Sequence, residues 1–371
     1  MSFFSYIYLG EYMKKILLVL LILLLPIKTK AIETSATSAI LMDVDSGRIL
    51  YADNINAVRS VASISKIMTG ILAVESDKFN NTVTIGDEIK GAYGSGIYIK
   101  KGEKLTIKDL TYGLMLRSGN DASLAIAYHV SGSVEKFVNS MNQKAKEIGM
   151  KNTTFNNPNG LDEDKGNYST AYDMAILTSY AMKNETYKEI VKTKTYKLKT
   201  NMNVYSWTNK NKLLKIYKYA TGGKTGFTTK ARRTLVTTAS KDNLNLVAVT
   251  LNDGNDFNDH IKLFEYGFLN YKNYKILSKN EIKILDDDYY DNYDFYLKND
   301  FYYPLSTEEK NNIVVKIELE KERKLKNNIK VGKAKVYLGD TLLGSENIYI
   351  SKKQEQLSFF QKLKKWISDL W

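Results

Sequence analysis

Apolar positions change their spacing several times along the chain, and each change marks an element. Residues 37–42 form a short apolar run, Asp45-Ser46-Gly47 reads as a turn, and residues 48–51 return as a second strand. From Ser63 to about Val74 the spacing turns helical, with Ile67, Ile71, Leu72 and Val74 apolar. Helical spacing holds again over 107–149, with breaks near Ser118-Gly119-Asn120 and Ser131-Gly132-Ser133, and 170–191 predicts two more helices. Segments 192–199, 222–228, 233–239 and 245–251 read as strands, and 258–266 as a closing helix. Strands at both ends with helices between predict an α/β (α+β) layer fold whose sheet joins distant parts of the chain.

After about residue 275 the period shortens to two, as in Ile313-Val-Val-Lys-Ile-Glu-Leu319 and Lys333-Ala-Lys-Val-Tyr-Leu338, which predicts a small all-β domain. The two ends differ from both domains. Lys14 and Lys15 precede an apolar run over 16–25 and a Thr29-Lys30-Ala31 end, the order of a secretory signal peptide. That run is shorter than the roughly 20 apolar residues of a spanning helix. Near the C-terminus Leu357, Phe360, Leu363, Trp366, Ile367, Leu370 and Trp371 recur at steps of three and four among Lys362, Lys364 and Lys365. Such a stripe suits an amphipathic helix lying on a membrane surface. The expected organisation is a signal peptide over 1–31, a catalytic domain over 32–274, a β-rich domain over 275–350 and the tail helix over 351–371.

Composition narrows the chemistry. The chain has no Cys and two His, which excludes disulfides and thiol nucleophiles and argues against a multi-His metal site. Its formal charge is +13, and loss of residues 1–31 removes four Lys and one Glu. No basic helix or RNA-binding motif accompanies that charge, so nucleic acid is not an expected partner. Anionic headgroups or anionic wall polymers suit a basic protein outside the cytoplasmic membrane.

Serine hydrolysis needs a base beside the nucleophile, yet neither His sits in a triad context and no Gly-x-Ser-x-Gly elbow occurs. Ser63-Ile64-Ser65-Lys66 offers another pairing. Three residues apart on a helix, Ser63 and Lys66 share a face, and a desolvated Lys can lose its proton near neutral pH. Ser118-Gly119-Asn120 follows at a helix break, and Lys224-Thr225-Gly226 lies in a strand where a Gly permits close backbone approach. This ordered triple is the signature of penicillin-binding proteins and class A β-lactamases.

The surrounding residues sharpen the likeness. Arg59-Ser-Val-Ala-Ser-Ile-Ser-Lys-Ile-Met-Thr69, Leu116-Arg-Ser-Gly-Asn-Asp-Ala122, Phe155-Asn-Asn-Pro-Asn-Gly-Leu161, Tyr168-Ser-Thr-Ala171 and Gly223-Lys-Thr-Gly-Phe-Thr228 resemble segments of the D-alanyl-D-alanine carboxypeptidases, low-molecular-weight penicillin-binding proteins of peptidase family S11. The resemblance implies the serine β-lactamase/penicillin-binding-protein-like transpeptidase fold and no cofactor. It also implies removal of the terminal D-Ala from peptidoglycan stem pentapeptides, with β-lactams as covalent inhibitors. Ser63 would be the nucleophile, Lys66 its base, and Ser118 a proton carrier assisted by Lys224. Asn120 would bind the substrate's peptide, and Lys224 and Thr225 its carboxylate. Gly226 would let the peptide approach, and the N–H groups of Ser63 and Phe227 would form the oxyanion hole. Three positions depart from the family pattern: Val61 replaces Pro, Asn167 replaces His, and Tyr219-Ala-Thr-Gly222 lacks an acidic residue. A class A-like β-lactamase, a DD-endopeptidase and a non-catalytic wall-binding protein share this framework, although no Glu-x-x-Leu-Asn loop of the β-lactamases is present.

Overall fold

The computed structural model describes residues 32–162, 165–279, 288–322 and 324–353, with residues 282, 284 and 366. The expected signal peptide, and the tail stripe apart from Trp366, lie outside the described residues. The central sheet comprises β1 (Ser38–Asp43), β2 (Ile49–Asp53), β3 (Ala220–Thr228), β4 (Arg232–Lys241) and β5 (Leu244–Leu251). Their order is β2-β1-β5-β4-β3, every neighbour antiparallel, with Ile40 opposite Val249 and Thr225 opposite Leu235. The expected joining of distant chain parts is therefore present at the β1–β5 pair.

Strand β1 is buried along its whole length because both faces of the sheet are covered. Ile40, Met42, Val247 and Val249 point into a core shared with the helices α1 (Lys66–Glu75), α2 (Ile107–Arg117), α3 (Asn120–Ser131), α4 (Val134–Glu147), α5 (Ala171–Ala181) and α6 (Glu185–Lys192). Leu41 and Leu246 face the other way, toward α7 (Asp256–Asn270). A Cβ at Gly267 of α7 would stand 2.6 Å from Leu246 and 2.9 Å from Leu41, so the missing side chain is what lets helix and sheet close together. Two covered faces give a continuous apolar run in place of alternation.

The helix boundaries follow local chemistry. Thr106 caps α2 by accepting from Asp109 N at 3.0 Å while the Asp109 carboxylate accepts from Thr106 N at 2.9 Å. The same helix ends at Ser118, whose φ of +66° is left-handed, and Gly132 (φ +82°) closes α3. Two expectations shift. Residue 192 closes α6, and the strand expected over 192–199 is Thr195–Lys199. That strand forms a hairpin with Val204–Thr208, which the sequence pattern did not reveal; Tyr196 holds it down by stacking on Tyr112 at 3.8 Å.

The C-terminal region is mainly β, beginning at β6 (Lys272–Leu277), slightly ahead of residue 275. It also holds a 3₁₀ turn (Asp288–Tyr290) and one helical turn (Thr307–Lys310), capped by Ser306, which the period of two did not predict. It continues through β7 (Tyr293–Leu297), β8 (Phe301–Leu305), β9 (Ile313–Leu319), β10 (Lys330–Leu338) and β11 (Thr341–Lys352). Strands β6 and β8 pair, and the other four run in the order β7-β11-β10-β9 around Leu297, Val331, Val336, Ile348 and Ile350. Arg48 joins the two regions: it reaches Pro304 O and Glu309 at 2.5 Å each and lies between the rings of Tyr271 and Tyr303.

Candidate active site

Ser63 does not sit on an α-helix. Residues Ala62–Ser65 form a 3₁₀ turn, and α1 begins at Lys66. With three residues per turn, side chains at i and i+3 eclipse, so this turn places Lys66 directly over Ser63. Lys66 Nζ lies 3.1 Å from Ser63 Oγ and 2.7 Å from Asn120 Oδ1, and it also contacts the Asn159 carbonyl. Lys66 has no exposed surface, and Lys224 is 1% exposed.

Two buried lysines in one site cannot both keep ordinary basicity. Burial, then Lys224 and Lys210, holds Lys66 well below the usual ammonium range, with Asp121 opposing. Burial first and Lys210 second bring Lys224 down to about 7. A neutral amine has two N–H groups and one lone pair. Around Lys66 stand two carbonyl oxygens, from Asn120 and Asn159, and one hydroxyl, from Ser63. An uncharged amine there can donate to both carbonyls and turn its lone pair to the Ser63 hydroxyl, which also lies 3.4 Å from Asn159 O.

The other expected residues converge on the same place. Ser63, Ser118, Thr225, Gly226 and Phe227 line a cleft of about 340 Å³, which Lys210, Lys212 and Arg233 make positive. Ser118 enters the cleft from its left-handed turn, and Asn120 is fixed by donating from Nδ2 to Tyr93 O at 2.6 Å. Lys224 Nζ donates to Thr225 O at 2.6 Å. At Gly226 an added Cβ would lie 3.1 Å from the backbone nitrogens of Ser63 and Ile64, so β3 runs alongside the Ser63 turn.

Sequence reasoning assigned no role to several residues that shape this geometry. Asn159 offers its carbonyl to Lys66 from a loop held by Asn167, whose Oδ1 accepts from Asn156 N at 2.7 Å and Asn157 N at 3.1 Å. Thr69 adds a hydrogen bond to Pro158 O at 2.7 Å. Asp121 accepts from the N–H groups of Ile97, Tyr98 and Ile99 and so maintains Tyr98 at φ +62°. Lys210 crosses the cleft mouth to Ser95 Oγ at 3.0 Å. Arg233 forks onto Asp256 at 2.6 and 3.1 Å at the open end. The quoted motif Phe155-Asn-Asn-Pro-Asn-Gly-Leu161 was the available signal for Asn159. Lys210, Arg233 and Asp256 belong to no motif. Neither His joins the site: His260 is buried between Thr237 and Thr250, and burial pushes it down to about 3. Among the described residues no His, Cys, Asp and Glu cluster could hold a metal.

Comparison with known proteins gives a consistent picture. Residues 26–255 match the family model of D-alanyl-D-alanine carboxypeptidases, and residues 271–356 match that of the penicillin-binding protein 5 C-terminal domain. The chain is 36% identical over 263 residues to D-alanyl-D-alanine carboxypeptidase DacF of Bacillus subtilis, covering 68% of this chain and 67% of that one. It is also 36% identical over 259 residues to DacC of Escherichia coli, covering 64% and 62%. Penicillin-binding protein 5 from Haemophilus influenzae superposes with a TM-score of 0.71 at 26% identity, over 86% of this chain and 98% of that one. The carboxypeptidase DacD from Francisella tularensis gives 0.67 at 26% identity, over 88% and 96%.

Proposed function

The chain belongs to the D-alanyl-D-alanine carboxypeptidase family, peptidase family S11, and from that premise we propose that it removes the terminal D-Ala from peptidoglycan stem pentapeptides through an acyl-enzyme on Ser63. The observation that carries this reading is the buried Lys66 amine, matched by two carbonyl acceptors and one hydroxyl. Ser63 donates its proton to the Lys66 lone pair as its oxygen attacks the penultimate D-Ala carbonyl. The oxyanion is received by the N–H groups of Ser63 and Phe227, donors of a kind worth about 3 kcal/mol each. Ser118 returns a proton to the departing D-Ala amine, and water then cleaves the ester.

The cleft's cations select the substrate. Burial and then Lys210 bring Lys224 down to about 7, and an arriving carboxylate favours its charged form. A free C-terminal carboxylate therefore binds by restoring a charge that burial suppresses. With Thr225 beside it, Lys224 accounts for the demand for a terminal residue. A β-lactam presents the same carboxylate and carbonyl, but its leaving group stays tethered, so it traps Ser63.

The signal-peptide pattern over 1–31 and the apolar stripe from Leu357 support secretion and attachment to the outer face of the cytoplasmic membrane. The test of the enzymatic reading combines D-Ala release from a pentapeptide with mass spectrometry after penicillin treatment. The expected result is penicillin-sensitive release and an adduct on the peptide holding Ser63, both lost in Ser63→Ala. An adduct that survives Ser63→Ala refutes the assignment.

A further inference from the structure

Strand β9 ends the four-stranded sheet, and among the described residues nothing pairs with its outer edge. Val314 is 48% exposed and Val315 and Ile317 are 38% exposed, an unusual density of apolar surface on an open edge. Its one cation within the strand, Lys316, lies over the Tyr337 ring at 4.9 Å. The direction of the free backbone groups follows from the register. Glu320 N donates to Val331 O at 2.8 Å, continuing the ladder in which Leu319 faces Gly332. Alternation then turns Val314, Lys316 and Glu318 toward β10, and Ile313, Val315, Ile317 and Leu319 outward.

We propose that β9 pairs antiparallel with β9 of a second copy of this chain across a twofold axis at Ile317, joining two four-stranded sheets into one of eight. This pairing satisfies the outward backbone groups of Val315, Ile317 and Leu319, because Ile317 meets its own counterpart and Val315 meets Leu319, all in hydrogen-bonding positions. On one face Val315, Ile317 and Leu319 of both copies form an apolar row that extends the core of the β domain, where Leu319 already packs. On the other face Lys316 of each copy stands opposite Glu318 of the other. Charge selects the register: an axis at Lys316 would oppose two lysines, and an axis at Glu318 two glutamates. Glu318 already carries a partner within its own sheet, Lys335 at 2.7 Å, so the second copy places it between two cations. The inference is independent of the chemistry in the cleft.

Absence of Cys from the chain makes the test direct. Ile317→Cys in the full chain should cross-link to a dimer with a short bifunctional maleimide, whereas Asp340→Cys, in the exposed turn between β10 and β11, should not. Adding Lys316→Glu or Glu318→Lys to the Ile317→Cys chain should each cut cross-linking about tenfold, since each reverses two facing pairs. An equal mixture of those two variants should restore it, because each then meets its opposite charge. Circular dichroism checks that every variant remains folded. No cross-linking of Ile317→Cys, equal cross-linking at Asp340→Cys, or a dimer indifferent to either charge reversal overturns the proposal.

Discussion

At the scale of single residues, the site depends on removing a charge from Lys66 without removing its partners. Its amine is paired to Asn120, Asn159 and Ser63, and burial with two neighbouring cations disfavours its charged form relative to a solvated lysine. The sign of the pH dependence follows. A base works unprotonated, so the acylation rate rises with pH through the Lys66 pKa. Lys210 is one of the cations that lower that pKa, and without it the ammonium form is less disfavoured. Lys210→Met should therefore move the acid limb of the penicillin acylation profile to higher pH, while Lys210→Arg leaves it in place. Stopped-flow acylation across pH measures this; a limb that stays put in Lys210→Met contradicts the electrostatic account.

The elements around the site exist to hold three backbone turns against one another. The Ser63–Lys66 pairing was legible in the sequence as an i, i+3 spacing, but the 3₁₀ turn that eclipses them was not, since helix type is decided by what packs outside the turn. Here the packing partner is the loop carrying Asn159. Gly160 has φ +80°, and a Cβ there would lie 2.1 Å from Ala62 O and 2.6 Å from Ser65 Oγ. Gly160→Ala is accordingly expected to cost about 1–3 kcal/mol, read as a lower thermal midpoint, and to slow acylation about tenfold as the Asn159 carbonyl is displaced from Lys66. A variant with wild-type midpoint and acylation rate would show that this close approach is not needed. Asn167 acts on the same loop: where the family pattern has His, its amide bonds three backbone groups of the turn.

For the whole molecule, the question is how the β domain is kept in place beside the catalytic layers. Arg48 sits in the turn after β1 yet bonds Pro304 O and Glu309 and contacts two tyrosine rings, so one side chain ties the two regions. It is largely sheltered, with 16% of its side chain exposed, so its pairing is worth more than a free surface contact. Arg48→Ala should make the segment around residue 271 more susceptible to limited proteolysis while leaving acylation at Ser63 unchanged, because the cleft lies at the other strands of the sheet. Unaltered digestion would place the tie elsewhere.

The sequence by itself determined the family and most of the main strands and helices, though not the hairpin strand Val204–Thr208. It also singled out the residues proposed to carry the chemistry, because a nucleophile, its base and a carboxylate-binding strand need fixed residue types at local spacings that survive any packing. Tertiary structure alone decided how those pieces tune one another. Lys210, Arg233 and Asp121 act on the site across long sequence separations, and Asn159 contributes a carbonyl that every residue type possesses. Backbone groups and through-space charge leave no mark in residue identity; they become visible when β3, the Ser63 turn and the 155–161 loop are brought within hydrogen-bonding distance and water is excluded between them.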